Sequence, residues 1–339
     1  MSWQHIQGHD AHIASFAHGH ERGRLAHAYL FTGPPGIGKR MFAQELTKAL
    51  LCEQPGPGLS ACTRCTSCTL LAAGNHADFF AVARPEGSNE LPIEVVRELC
   101  QRFALKSARG RGKIALLDDA DDLNAEAANC FLKTLEEPPP RSVFFLIGTT
   151  PERQLATIVS RCQVVRFAPL ADKLVDEILQ RAGIKDAKLR QRLVRLGRGS
   201  PGQALALAEP ELWAFRRVLL DGLLQPRPDT VMLAKTWSEF VEEAGKETAS
   251  HRRRATQVLR LLIEFFDDAL AANLGKLSDG GDPEEAALVR KLADRVDPDT
   301  LLQVLERCLD ADAQTGRYVQ LVLVLESLLD ALGVALAAD

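Results

Sequence analysis

Two groups of residues in this sequence have types and spacings that can do chemistry: a glycine-rich loop that ends in lysine, and a cluster of four cysteines. The loop follows the phosphate-loop pattern of a glycine, four residues, a second glycine and a lysine, with Gly33, Gly36 and Gly38 preceding Lys39. Glycines let backbone N–H groups surround phosphate oxygens, and the lysine supplies a cation for the outer phosphates. The sequence therefore predicts a nucleotide-binding loop.

Two positions near this loop depart from the usual pattern. A hydroxyl normally follows the lysine and ligates magnesium, but Arg40 stands there, and a guanidinium has five donors and no acceptor. Downstream, the apolar segment 114–117 ends in Asp118 and Asp119, the Walker B arrangement in which the first acid holds magnesium and the second, usually glutamate, orients water. Asp119 is one methylene shorter than glutamate. We expect a degenerate nucleotide site, and the sequence leaves open whether ATP or ADP still binds.

The cysteine cluster has the spacing of a structural zinc site. Cys62, Cys65 and Cys68 are three residues apart, and Cys52 lies ten positions upstream. Four thiolates can close a tetrahedral shell around zinc without a histidine or carboxylate, which predicts a structural site and not a catalytic one. The Pro-Gly-Pro-Gly loop at 55–58 allows Cys52 to fold back toward the others. The alternative is four free thiols.

Other charged and metal-binding residue types are expected to lie on the surface. Six of the eight histidines fall within the first 27 residues, and His5 and His9 have the i,i+4 spacing of a helix face. Because no further ligand completes a site, the pattern favours a surface helix and loop. The basic runs 107–113 and 251–254 are expected to be a solvated turn and a solvated helix face, and not DNA-binding patches.

Composition narrows the class of protein. The chain has 339 residues, 46% of them hydrophobic and 25% charged, with a net charge of −4, which does not favour nucleic acid binding by the chain as a whole. The first residues are polar, and no apolar run reaches membrane length, so we expect a cytoplasmic protein without a membrane partner. Its eight cysteines are then expected to be thiols or metal ligands.

The periodicity predicts an α/β region followed by an all-α region. Strands alternate with helices over residues 1–167, which indicates a parallel sheet with helices on both faces. The carboxyl ends of such strands meet at one edge, where Gly33, Asp118 and Thr149 should converge. Residues 168–208 suggest short helices, and 209–339 are helical and rich in leucine. The helices are expected to break at the segments 226–228, 275–283 and 297–298.

Several motifs together resemble one family closely. They are the phosphate loop with its preceding segment 27–31, the four-cysteine insert, and the segments 132–139, 160–162 and 199–202. Over residues 1–210 the chain is similar to the AAA+ clamp-loader subunits of bacterial DNA polymerase III. The resemblance implies an AAA+ parallel-sheet P-loop domain (1–167) with a zinc module at 52–68. It also implies a small helical lid domain (168–208) and a C-terminal helical collar domain for oligomerisation (209–339).

The resemblance also implies a role. Arg40, Asp119 and Gly202, the last standing where motor subunits have a sensor arginine, favour a subunit that does not hydrolyse ATP and lacks polymerase activity. Arg161 resembles the family's arginine finger, which reaches into the ATP site of a neighbouring motor subunit. The implied partners are the gamma/tau motor subunits, the delta subunit and, through the complex, the sliding clamp and primed DNA. An active AAA+ ATPase and a zinc-stabilised adaptor unrelated to replication are the alternatives.

Overall fold

The structure is a computed structural model that describes residues 2–85, 88, 90–276, 283–316 and 319–337. The chain divides into two compact units. The first, called here the α/β unit, comprises Met1–Ile178 and Arg198–Gly202, and the second, called the helical unit, comprises Leu179–Gly197 and Gln203–Asp339. The three-domain division at 167 and 208 stays a prediction.

The α/β unit contains the predicted alternation of strands and helices. Its strands are β1 (Ala28–Thr32), β2 (Phe79–Val82), β3 (Ile114–Leu117), β4 (Val143–Ile147) and β5 (Gln163–Arg166). Its helices are α1 (Asp10–Glu21), α2 (Lys39–Leu51), α3 (Thr66–Ala72), α4 (Ile93–Ala104), α5 (Ala125–Glu136) and α6 (Ala156–Val159), and α7 (Asp172–Arg181) follows them. Asn124 caps α5 as a local sequence signal would predict, because its side chain accepts from the backbone N of Ala127.

The five strands form one parallel sheet in the order β2-β3-β4-β1-β5. In the register of the sheet, Leu30 of β1 lies opposite Leu146 of β4 and Val164 of β5. Every residue of β1 is buried, as expected for a central strand covered on both faces. The sheet therefore brings the carboxyl ends of β1, β3 and β4 to one edge, and the predicted α/β class is confirmed.

Aromatic side chains fill the layers on either face of this sheet. On one face, Phe144 of β4 contacts Phe103 of α4 and Phe131 of α5, with ring centroids 4.3 and 5.2 Å apart. On the other face, Phe31 of β1 contacts Phe42 of α2 at 5.7 Å. All five rings are fully buried. This packing holds the loop between β1 and α2 at a fixed place on the sheet edge.

The helical unit confirms the predicted all-α region. Its helices are α8 (Ala187–Gly197), α9 (Pro201–Ala206, which begins in the α/β unit), α10 (Pro210–Leu223), α11 (Thr230–Glu242), α12 (Thr248–Asn273), α13 (Pro283–Arg295), α14 (Pro298–Gly316) and α15 (Leu321–Leu336). The breaks predicted at 226–228 and 297–298 separate α10 from α11 and α13 from α14, whereas 277–282 lie outside the described residues. None of the described helices has the length and apolar content needed to span a bilayer.

A buried ion network joins four helices of the helical unit. Arg192 of α8 donates to Glu264 of α12 from Nη2 over 2.7 Å and to Glu285 of α13 over 2.6 Å. Arg216 of α10 also donates to Glu285. The Arg192 guanidinium lies 4.3 Å from the ring centroid of Trp213. The network fixes α8 to the longer helices.

The first basic run is mostly exposed and the second is partly exposed, as expected, and several of their groups also have protein partners. Arg109 donates to the Glu53 carboxylate over 2.7 Å, while the backbone N groups of Ala108 and Arg109 donate to Asp78. In the second run, Arg252 donates to the backbone carbonyl of Thr315 over 3.0 Å. These arginines stabilise neighbouring segments because their donors are matched by carboxylates and carbonyls that the sequence pattern alone does not locate.

Candidate functional site

The loop between β1 and α2 has the geometry of the predicted phosphate loop. Helix α2 begins at Lys39, directly after Gly38, whose φ of 103° lies in the left-handed region. Gly33 has a φ of 142°, and a Cβ added there would lie 2.3 Å from the carbonyl oxygen of Phe167. Only glycine fits at position 33, because any side chain would collide with the backbone that follows β5.

Five consecutive carbonyls of this loop have hydrogen-bond donors. Lys39 Nζ donates to the carbonyls of Gly33 (2.5 Å) and Pro34 (2.8 Å). The next three carbonyls accept from other parts of the α/β unit: Pro35 from Ser200 Oγ (2.7 Å), Gly36 from Gly202 N (2.9 Å) and Ile37 from His9 Nε2 (3.0 Å). The lysine expected to contact phosphate therefore binds its own loop in this structure.

His9 corrects the prediction that the N-terminal histidines are surface residues. It is buried beside the loop, and its ring centroid lies 4.8 Å from that of Phe167. Because a carbonyl can only accept, the Nε2–H group of His9 donates this hydrogen bond to the Ile37 carbonyl. Its spacing to His5 gave no signal of this contact, since Ile37 is 28 residues away.

Arg40 contacts the first acid of the Walker B arrangement. Its Nη1 atom donates to Asp118 Oδ2 over 2.9 Å, with 55% of the arginine side chain and 18% of the aspartate side chain exposed. Burial lowers the pKa of Lys39, and Asp121 and Asp118 oppose this change. Two cations, the partly exposed Arg40 and the buried Lys39, thus lie near the acids at this edge.

The remaining predicted nucleotide-site residues lie at the same edge. The backbone N of Gly33 donates to the Thr149 carbonyl over 2.8 Å, which joins the ends of β1 and β4. Asp119 follows Asp118 with a left-handed φ of 53°. Burial, and then repulsion by Asp118, raises the pKa of the Asp119 carboxyl. The structure places Gly33, Asp118 and Thr149 at one edge of the sheet, as predicted, whereas their role in binding a nucleotide stays a prediction.

One acid at this edge was missed at the level of sequence. The Asp121 carboxylate accepts from Thr149 N (2.8 Å), Thr149 Oγ1 (2.6 Å) and Gln154 Nε2 (2.7 Å). Its side chain is 8% exposed. The only sequence signal was an acid placed three residues after Asp118, in a run that otherwise reads as a solvated turn.

Gly202 lies against the phosphate loop. A Cβ added at Gly202 would be 2.7 Å from both the Cα and the carbonyl oxygen of Gly36. Such distances are shorter than real Cβ contacts, and both neighbours are backbone atoms that cannot rotate away. The position that the resemblance assigns to a sensor arginine is therefore closed to any side chain while the loop keeps this place.

Arg161 lies after α6 with one third of its side chain exposed. Its Nη1 donates to the Thr157 carbonyl over 2.9 Å and to Ser160 Oγ over 3.2 Å, and its Nη2 donates to the Glu136 carboxylate. Glu136 is half exposed. Exposed pairs of this kind contribute about 0–1 kcal/mol, so this contact restrains the guanidinium only weakly.

The four predicted cysteine ligands form one cluster. The sulfur atoms of Cys52, Cys62, Cys65 and Cys68 all lie within 4.8 Å of one another. Those of Cys52 and Cys65 are 3.9 Å apart, close to the value of about 3.8 Å that a tetrahedron with metal–sulfur bonds of about 2.3 Å requires. Backbone N–H groups also point at the sulfurs, as in Cys62 N to Cys52 Sγ at 3.3 Å. The donor set can hold a metal ion.

The thiols of this cluster differ in acidity before any metal binds. A hydrogen bond from the Arg64 backbone lowers the pKa of Cys62 to about 6. Burial raises the pKa values of Cys52 and Cys68. A bound cation would reverse that effect, because metal binding favours the deprotonated ligand.

Known proteins match both the sequence and the fold. The family described as DNA polymerase III, delta subunit matches residues 8–171. The DNA polymerase III subunit delta' of Escherichia coli (strain K12) is 33% identical over 286 residues, covering 84% of this chain and 82% of that protein. The subunit delta' of Pseudomonas aeruginosa is 37% identical over 222 residues, covering 64% and 67% of the two chains.

A solved structure supports the fold class. The DNA polymerase III gamma subunit-related protein from Thermotoga maritima has a TM-score of 0.51 and 16% identity, covering 94% of this chain and 97% of that chain. At this identity the likeness shows the fold alone. Together with the parallel sheet and phosphate loop, it confirms the predicted AAA+ fold. The identity to the Escherichia coli relative, which extends over more than four fifths of both chains, shows that this chain belongs to the delta' family of DNA polymerase III subunits.

Proposed function

We propose that this chain is the non-hydrolysing stator subunit of the DNA polymerase III clamp loader and that it supplies Arg161 to the ATP site of a neighbouring motor subunit. The observation that carries the proposal is the contact between Arg40 and Asp118. A site whose expected magnesium-binding acid is paired with an arginine is poorly suited to hydrolysis. Membership of the delta' family supports a role for the chain in an ATP-driven assembly.

The chemistry of phosphoryl transfer supports the absence of hydrolysis. Catalysis depends on a metal ion that neutralises charge, an oriented water and cationic side chains at the transferred phosphoryl group. Arg40 removes the hydroxyl ligand and pairs with Asp118, while Asp119 has a short side chain and a raised pKa. Gly202 leaves no room for a sensor arginine. Each of these features weakens a different requirement of the reaction.

Arg161 is suited to act on a nucleotide that this chain does not bind. An arginine supplied in trans is worth about 10³–10⁵ in rate for phosphoryl transfer. The pair with the half-exposed Glu136 is weak, so phosphate oxygens of a neighbour can replace that carboxylate as the partner of the guanidinium. Its planar fork matches phosphate oxygens better than a lysine would.

The rest of the chain fits the same assembly. We propose that 1–167, 168–208 and 209–339 act as AAA+ domain, lid and collar, and that the four cysteines hold one structural zinc ion. The partners are the gamma/tau motor subunits and the delta subunit, with the sliding clamp and primed DNA engaged through the complex. The helical region from 209 would supply the oligomerisation surface. The chain would act in the cytoplasm.

The test is the ATPase rate of complexes rebuilt with wild-type chain, Arg161→Ala or Arg161→Lys. Both variants should assemble normally by sizing, yet both should lower the clamp- and DNA-stimulated ATPase rate. The loss should be partial, because only one ATP site adjoins this chain. Arg102→Ala is a matched control, since the Arg102 side chain is 61% exposed and pairs with Glu98, one turn earlier on the same helix. Equal ATPase and clamp-loading rates for all four chains would make Arg161 a structural residue.

A further inference from the structure

The segment from Thr149 to Arg161 is held at its start by one buried carboxylate. Asp121 accepts two hydrogen bonds from Thr149, at the end of β4, and one from Gln154, five residues further on. These bonds fix the backbone at Thr149 and the side chains of Thr149 and Gln154. Hydrogen bonds to an ionised acceptor are about twice as strong as neutral ones, so Asp121 is a firm anchor.

The surroundings of Asp121 are shaped for this contact. A Cβ added at Gly148 would lie 2.5 Å from Asp121 Oδ1 and 3.2 Å from Gln154 Nε2. Gln154 is itself buried, with 8% of the residue exposed. The carboxylate can approach the segment this closely because residue 148 has no side chain. Solvent therefore offers little competition for the three hydrogen bonds.

The anchored end is connected to Arg161 by a short, ordered stretch. Helix α6 begins directly after Gln154 and Leu155, and its Ile158 side chain is fully buried in the core beneath the sheet. The backbone N of Arg161 donates to the Ile158 carbonyl over 3.0 Å. Few backbone torsions between Gln154 and Arg161 are free to absorb a displacement, so movement at the anchor is passed to the backbone of Arg161, from which the guanidinium extends.

We propose that Asp121 is a positioning residue for Arg161, which it places through its hydrogen bonds to Thr149 and Gln154. The inference rests on the proposed function of Arg161 as a finger in trans. A misplacement of about 1 Å can cost about 100-fold in a catalysed step. Loss of the anchor should accordingly remove most of the ATPase turnover that depends on Arg161, without removing Arg161 itself.

The experiment is a double-mutant cycle in the rebuilt clamp loader. Asp121→Ala should lower the stimulated ATPase rate about as far as Arg161→Ala, and the double variant should show no further loss. Asp121→Asn should keep most of the rate, because its amide oxygen can accept from Thr149 and its amide nitrogen can donate to a reoriented Gln154. Asp122→Ala is the matched control, since the adjacent Asp122 carboxylate pairs with Arg84 over 3.0 Å.

The outcomes separate the two proposals. A normal rate with Arg161→Ala overturns both the finger and its positioning. A reduced rate with Arg161→Ala beside a normal rate with Asp121→Ala overturns only the positioning role. The positioning role is also overturned if the losses of ATPase rate from Asp121→Ala and Arg161→Ala multiply fully in the double variant. If Asp121→Ala does not assemble, Gln154→Ala takes its place in the cycle, with the same expected and contradicting results.

Discussion

Arg40 Nη1 and Asp118 Oδ2 lie 2.9 Å apart, so the residue that replaces the expected hydroxyl also neutralises the acid expected to hold magnesium. The arginine therefore acts on two parts of the predicted nucleotide site at once. It removes one potential metal ligand and competes with a metal ion for another. A single replacement thus changes more of the site than its place in the loop indicates.

The first prediction is that Arg40→Thr does not restore hydrolysis. The change supplies a hydroxyl and releases Asp118. The short side chain of Asp119 and the missing arginine at Gly202 would still oppose hydrolysis. Phosphate release by the purified variant should stay far below about 1 s⁻¹, the lower end of typical enzymes. The exposed Arg217, in the helical unit, offers Arg217→Thr as a control for the loss of one cation. Steady turnover at or above about 1 s⁻¹ by the variant would contradict the roles given to Asp119 and position 202, and the same turnover by the purified wild-type chain would contradict the stator proposal.

The second prediction concerns the contact of Gly202 with the phosphate loop. Gly202→Ala should lower the free energy of unfolding of the α/β unit by about 1–3 kcal/mol, because the added methyl overlaps the backbone of Gly36. Hydrogen exchange in residues 33–40 should rise in step. Gly316→Ala is the matched control, since nothing lies within 4 Å of the corresponding Cβ and alanine favours a helix. Unchanged stability and exchange in Gly202→Ala would show that the loop moves freely.

The third prediction is one zinc ion per chain, bound by the four clustered cysteines. Elemental analysis should give one equivalent for wild type and for Cys308→Ala, a buried thiol outside the cluster, but not for Cys65→Ala. Acidification should release the metal, because protons compete for the thiolates. Residues 52–72 should lose protection from hydrogen exchange when it is removed. A metal-free chain that stays folded, with four titratable thiols there, would rule the site out.

The fourth prediction is a pH dependence of the helical unit. Burial by itself raises the pKa of the Glu285 carboxyl. Hydrogen bonds from Arg192 and Arg216 and the charge of these two arginines outweigh burial, so the pKa lies below its ordinary 4.5. A lowered carboxyl pKa contributes stability that is present above pH 4.5 and is lost as the pH falls through the folded-state pKa. The free energy of unfolding should therefore decline on acidification below about pH 4.5.

Glu285→Gln should flatten this decline and lower the stability at pH 7 by about 3 kcal/mol, the lower end of what breaking a buried pair costs. Urea unfolding followed by tryptophan fluorescence reports mainly on this unit, which holds Trp213 and Trp237 of the three tryptophans. Glu284→Gln is the control, because that side chain is 78% exposed. A variant with the same acid sensitivity as wild type would contradict the assignment to Glu285.

Local patterns in the sequence predicted the elements and the order of the site. The strands are apolar runs, and the cysteines are close in sequence, so their clustering follows from short-range spacing. The phosphate loop and the acids after β3 lie at strand ends, where the parallel sheet must bring them together. These features depend on few residues at a time, which explains why the α/β class and the shared edge could be predicted.

Contacts between distant residues could not be predicted in this way. His9 meets Ile37, Asp121 meets Thr149, and Ser200 meets Pro35 at sequence separations of 28, 28 and 165 residues. Each contact depends on how two separately formed elements pack. For His9 the residue type led to the wrong prediction of a surface position. A histidine among other histidines suggests a surface segment, and the sequence does not show that the Ile37 carbonyl is its buried acceptor.

The approach of Gly202 to Gly36 has a consequence for how this chain can change over generations. An arginine at 202 requires the loop or the segment beside it to move, so a single codon change there cannot be accommodated by the present backbone. A hydroxyl residue at position 40 or a glutamate at position 119 would leave position 202 closed. Under the proposed stator function, a gain of hydrolysis would therefore require coordinated changes at position 202 and at positions 40 and 119.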